Sequence, residues 1–186
     1  ILNFALLPLP FTPRSLLLTL GTKRSITLAK LRFIPTLVQL SGTTKLITSE
    51  TLGPQNSQQI GLGEEQMNQC DQLFYDIEKG LISETAFCEG FNQLYHLSLS
   101  HHQIISAWNS LLIGFRKESM KWIKVNQEKF PMFLYSNTNQ IHCDYVLPQF
   151  EREIGGDFEK LFKKPYYSHQ MGMRKPDPAS FQYILD

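Results

Sequence analysis

Two polar clusters in the C-terminal third hold residue types able to handle a phosphoryl group. The first is Ser136-Asn137-Thr138, directly after the apolar run Pro131-Met-Phe-Leu-Tyr135. A hydroxyl, an amide and backbone N–H groups at a helix start form a ready anion site. The second is Lys175, within Gly172-Met-Arg-Lys-Pro-Asp177. Its compact positive charge suits phosphate. Each cluster alone has a plainer use, since a Ser-Asn-Thr triplet often only caps a helix and a loop lysine is usually solvated. Brought to neighbouring strand ends, they describe one half of a phosphoryl-binding pocket.

Periodicity indicates the elements that must position them. Residues 131–135 are too few for a helix and are flanked by turn formers, so they read as a buried strand of a parallel sheet. Ser136 to Asn139 then caps a helix reaching about Val146. A polar segment with Gly155-Gly156 leads to a second short strand, Pro165-Tyr-Tyr-Ser168. Asp177 before Pro178 is a strong helix start, with Phe181, Ile184 and Leu185 on the inner face. Strand, helix, strand, helix with short loops is a doubly wound α/β pattern, in which ligands bind beyond the carboxyl ends of the strands. Both clusters fall there.

Upstream, residues 64–79 place Met67, Cys70, Leu73, Phe74 and Ile77 at helical spacing, with Gly80 as a stop. Ser83 caps a second helix with Ala86, Phe87, Phe91, Leu94 and Tyr95 inward. A third opens with the capping box Ser100-x-x-Gln103 and carries Ile104, Ile105, Trp108, Leu111 and Leu112. These three make a small helical bundle. A fourth stretch, residues 118–128, turns Met120, Ile123 and Val125 inward. The domains expected are an atypical segment 1–63 of unassigned structure, a helical cap 64–116, and an α/β core portion 117–186.

Composition narrows the classes. The 186 residues carry a net charge of +1 with a pI of about 7.9, which argues against a nucleic-acid or membrane partner. Cys70, Cys88 and Cys143 are odd in number and lack a CxxC spacing, so they read as buried hydrophobes in a reducing, cytoplasmic setting. No apolar run is long enough for a membrane span. Charge is unevenly spread. Six bases and no acid precede Glu50, giving +6; the remaining twelve bases against 17 acids give −5. The acid-free, Ser/Thr-rich stretch has a transit-peptide flavour. The stronger reading is that it is foreign to the domain, through a misplaced start or a disrupted reading frame, since the chain opens on Ile1.

Residues 71–186 resemble the haloacid-dehalogenase-like (HAD) hydrolase superfamily, in its subgroup of small-molecule and sugar-phosphate phosphatases with a small helical cap. The blocks that carry the resemblance are Leu73-Phe-Tyr-Asp-Ile-Glu-Lys-Gly-Leu-Ile-Ser83, Ala107-Trp-Asn-Ser-Leu-Leu112, Phe133-Leu-Tyr-Ser-Asn-Thr-Asn139 and Gly172-Met-Arg-Lys-Pro-Asp-Pro178. The last two match the family's second and third motifs, in a form closer to the phosphatases than to the dehalogenases. The resemblance implies a partial Rossmann-like parallel sheet with an inserted cap, and Mg²⁺-dependent hydrolysis of a small phosphorylated metabolite through an aspartyl-phosphate. It implies that Ser136 hydrogen-bonds the phosphoryl group, that Asn137 holds its oxygens or positions the loop, and that Lys175 neutralises charge in the transition state.

Equally informative are the departures. The family's first motif supplies an aspartate nucleophile and, two residues on, an aspartate acid/base, ahead of the cap. No aspartate precedes Asp71. Family order sets the nucleophile strand near residues 30–40, where the sequence is apolar and acid-free. Asp76 and Glu78 match the cap helix instead and read as a solvated face, and Asp177 is explained by its cap. The fourth, magnesium-binding motif would lie beyond Asp186. The five histidines lack catalytic spacing. The chain is therefore expected to lack phosphatase activity as given, with a non-catalytic, phosphoryl- or protein-binding remnant as the alternative. Without a nucleophile strand, the two core strands are expected to lack neighbours on one side, with 25–31 and 37–40 as candidate substitutes.

Overall fold

The computed structural model describes residues 4–8, 16–20, 64–112 and 114–186. Two compact units divide them, one helical and one α/β.

The helical unit contains α1 (Glu64–Glu78) up to Ile77, α2 (Glu84–Tyr95) and α3 (His101–Asn109). Local sequence sets the starts of α2 and α3. The Ser83 Oγ accepts from Ala86 N at 3.1 Å. Ser100 and Gln103 form a complete capping box, with Ser100 N donating to Gln103 Oε1 at 2.9 Å. The Asn92 amide holds the α2–α3 link, donating to Leu99 O at 2.8 Å and accepting from Leu99 N at 3.1 Å. The core is aromatic. Phe74 stacks on Trp108 with ring centroids 5.0 Å apart, and Phe87 tilts against both. Cys70, Cys88, Phe91 and Ile104 complete the buried set. Such rings contribute through burial and through preferred pair geometry.

The α/β unit is built on a four-stranded sheet in the order β1 (Phe4–Pro8), β2 (Leu16–Leu20), β3 (Met132–Ser136), β4 (Lys164–Tyr167). β2, β3 and β4 run parallel, and β1 is antiparallel at the edge. Helices α4 (Lys117–Asn126), α5 (Gln140–Glu153), α6 (Ser168–Met171) and α7 (Pro178–Leu185) complete it, with a 3₁₀ turn at Glu159–Leu161. Residues Glu78–Leu81 also belong to this unit.

The two-residue period of β3 splits the core. Met132 and Leu134 pack with Met120 and Ile123 of α4 and with Cys143 and Phe150 of α5. Phe133 and Tyr135 join Tyr166, Phe181 and Ile184. Helices thus cover the sheet on both faces, which makes this the expected α/β parallel-sheet class.

Three expectations change. β3 does have a neighbour on its open side, because β2 pairs with it in parallel from Leu16↔Met132 to Leu20↔Ser136. That strand is Leu16–Leu20; the candidates at 25–31, 30–40 and 37–40 lie outside the described residues. α5 runs to Glu153 through Pro148, because Phe150 is fully buried in the core and holds the last turn in place. Val125 is 56% exposed, since the inward face of α4 is already filled by Met120 and Ile123.

Candidate functional site

The site lies in the α/β unit, at the carboxyl ends of β3 and β4. Ser136 is the last residue of β3 and is buried. Its register partners are Leu20 on β2 and Tyr167 on β4. The Asn139 side chain then caps α5, accepting from His142 N at 3.0 Å. A hydroxyl therefore stands where the chain leaves the sheet and enters a helix.

Ser168, the residue after β4, is fully buried and locks the two strand ends together. Its Oγ accepts from Thr138 N at 2.9 Å and donates to Thr138 O at 2.9 Å. The Gly172–Asp177 loop follows, with Asp177 accepting from Ala179 N at 3.0 Å as the cap of α7.

Asn137 clamps that loop. Its Nδ2 donates to Lys175 O at 3.0 Å, and its Oδ1 accepts from Lys175 N at 2.9 Å. Both ends of one side-chain amide thus pair with the backbone of one residue, in the manner of a strand partner. Lys175 itself is buried, and its Nζ donates to Tyr135 O at 2.8 Å. The ammonium also stands 4.6 Å from the centroid of the Tyr135 ring. So Ser136, Asn137 and Lys175, far apart in sequence, are brought together through β3. The Lys175–Pro176 peptide bond is cis.

Electrostatics follow from burial. Removal from water lowers the Lys175 pKa to about 7; Glu78 works against that shift and Arg174 adds to it. Glu78 responds oppositely. Burial raises its pKa, while Arg174 and Lys175 pull it back. Glu78 Oε2 lies 2.7 Å from Arg174 Nη2, with both side chains largely buried. The contact is a close ion pair.

From its helix neighbours Glu78 reads, with Asp76, as a solvated face. Asp76 is bonded to Gln72 at an exposed position, but Glu78 is an interior counter-ion. Ser168 reads from sequence only as the end of a strand, and its hydroxyl role is set by a distant pairing. The histidines stay apart. His169 stacks on Tyr167 and its Nε2 meets Gln140 Oε1 at 3.2 Å, His96 ends α2 at φ 53°, and His101 and His102 are exposed. Trp108 belongs to the core of the helical unit.

No family model matches the chain. It is similar to D-ribitol-5-phosphate phosphatase of Bacteroides thetaiotaomicron, with 25% identity over 114 residues, or 61% of this chain. The chain spans about half of that relative, 55% of its length. Among solved structures it is similar to a HAD family enzyme of Bacteroides thetaiotaomicron, with a TM-score of 0.66 and 28% identity over 82% of this chain and 68% of the other. An aspartate-to-alanine form of that enzyme, in complex with magnesium and inorganic phosphate, matches at 33% identity and a TM-score of 0.57, over 60% and 55% of the two chains. These similarities support a HAD-like hydrolase.

Magnesium is accordingly the metal of this HAD-like family. The side chains at hand do not fit it. Among the described residues, no group of three or more His, Cys, Asp or Glu side chains is placed to hold a metal ion. The sequence of β2, Leu-Leu-Leu-Thr-Leu, brings no carboxylate alongside Ser136. Also among the described residues, no helix is long and apolar enough to cross a membrane, and Cys70, Cys88 and Cys143 are buried.

Proposed function

We propose that the α/β unit is a phosphoryl-binding pocket of the HAD-like phosphatase type, which takes the phosphate of a small phosphorylated metabolite and, in this chain, does not hydrolyse it. The observation that carries this reading is the convergence of Ser136 and Lys175 at the end of β3, with the lysine held at three points. Ser136 donates its hydroxyl to a phosphoryl oxygen. The Lys175 ammonium has three donors. One is engaged by Tyr135 O, which aims the ammonium at the carboxyl end of β3. Asn137, occupied on both sides by the lysine backbone, supports the loop and leaves ligand contact to Ser136 and Lys175.

Binding without turnover follows from the carboxylates. Aspartyl-phosphate chemistry needs a carboxylate nucleophile beside the phosphoryl site. The strand next to Ser136 has none, and no aspartate precedes Asp71. The relative's name makes a pentitol phosphate the first ligand to try. The setting we propose is cytoplasmic and reducing, in keeping with three cysteines buried in the described residues.

The test is phosphate release from D-ribitol-5-phosphate and from an aryl phosphate by the purified chain with magnesium. The expected result is no release above the protein-free blank. Magnesium-dependent turnover that Lys175→Ala abolishes would overturn the non-catalytic reading.

A further inference from the structure

We propose that Glu78 is a positioning residue for Lys175, acting as a carboxylate counter-ion to the buried Arg174–Lys175 cation pair and anchoring the loop that carries it. The inference rests on the reading of Lys175 as a phosphate-binding group. Arg174 and Lys175 are consecutive and only 5% and 8% exposed. Two adjacent cations removed from water need a compensating charge, and breaking a buried pair leaves an uncompensated ion in the interior.

Among the described residues, the ionisable groups acting on Lys175 include Glu78, at the end of α1, and Arg174, on its own loop. Tyr135, on β3, offers it a carbonyl oxygen and a ring face. Asp177 is spent at an exposed position on the first turn of α7. Glu78 reaches Arg174 at 2.7 Å, with the two side chains 13% and 6% exposed.

The placement of Glu78 is itself held. Two residues on, Gly80 adopts φ +67°, and a Cβ there would collide with the carbonyl of His169. Only glycine tolerates both that φ and that approach. The turn after Glu78 therefore seats against the segment just after β4, while Arg174 grips the carboxylate. From the other side, Asn137 clamps the lysine backbone.

The experiment reads Lys175 directly. Lysine ¹³Cε resonances of the full chain are followed from mildly acid to alkaline pH without phosphate, with Lys175 assigned through Lys175→Arg. Glu78→Gln should lower the Lys175 midpoint by about one unit, the scale expected when an opposite charge nearby is lost. Glu78→Asp should stay near wild type. Should Glu78→Gln fail to fold, the E78Q/R174Q pair removes both buried charges and keeps the test open. Its midpoint should still fall, but by less, because Glu78 acts on Lys175 more strongly than Arg174 does. A Lys175 midpoint unchanged in whichever of the two variants folds would overturn the proposal.

A second readout separates positioning from general damage. In Glu78→Gln, the pH midpoint of inorganic phosphate affinity should move down together with Lys175. An equal loss of affinity at every pH would contradict the proposal. Failure of the wild-type chain to bind phosphate would instead overturn the pocket reading, and the ligand-free titration would still decide the role of Glu78.

Discussion

Replacing Lys175 with Met should change how stability depends on pH, in a window the structure defines. The folded chain holds this amine at a pKa of about 7, against 10.5 when unfolded, chiefly because burial penalises the charged form. Between those values the unfolded state binds more protons than the native state, so wild-type stability must rise with pH. Other groups bound the usable range. The pKa of His169 is lowered from 6.5, so its contribution is complete below the window. Cys88 and Cys143 are pushed up to about 11 and about 12 from 9, so ionising thiols favour the unfolded chain only from about pH 9 upward. Between about pH 7 and about pH 9, Lys175 dominates. Half of the native molecules have already lost the proton at the lower limit, so the effective gain is about 1.7 pH units, or about 2.3 kcal/mol. Urea unfolding at fixed ionic strength across the window reads this as a rising midpoint. Lys175→Met should abolish the rise. Parallel curves for the two proteins would refute the assignment of a buried, proton-poor amine.

Other perturbations test the frame around it. Asn137→Ala strips partners from both Lys175 N–H and Lys175 C=O, and should lower stability by about 2 kcal/mol in urea unfolding. Gly80→Ala forces a Cβ into the His169 carbonyl at a positive φ, and should lower stability by more than about 1 kcal/mol, read as a fall in melting temperature. Trp108→Ala removes the ring that stacks on Phe74 and should destabilise the helical unit by about 3–5 kcal/mol, seen by circular dichroism.

What the sequence made legible was local. Ser83, the Ser100–Gln103 pair and Asp177 announced their helices because a cap is a contact between residues two or three apart. The strands at β3 and β4 were readable as short apolar runs between turn formers. Ser136 and Lys175 were identifiable because both follow strands, and strand ends converge in a parallel sheet. The roles that stayed hidden depend on distant pairing. Glu78 looks solvated when only its helix neighbours are considered, and becomes interior once Arg174 meets it. Ser168 shows its importance only through Thr138, on the adjacent strand end. β2 is not legible locally because Pro8, Pro10 and Pro13 break the apolar stretch ahead of the Leu16–Leu20 run and nothing local ties it to Met132–Ser136.

The central claim is that Ser136 and Lys175 form a working phosphate site. Isothermal titration calorimetry of the full chain with inorganic phosphate tests it most directly. The wild-type chain should show one saturable site, weakened at least about tenfold, or about 1.4 kcal/mol, by Lys175→Ala and reduced by Ser136→Ala. No binding to the wild-type chain, or the same affinity in both folded variants, would contradict it.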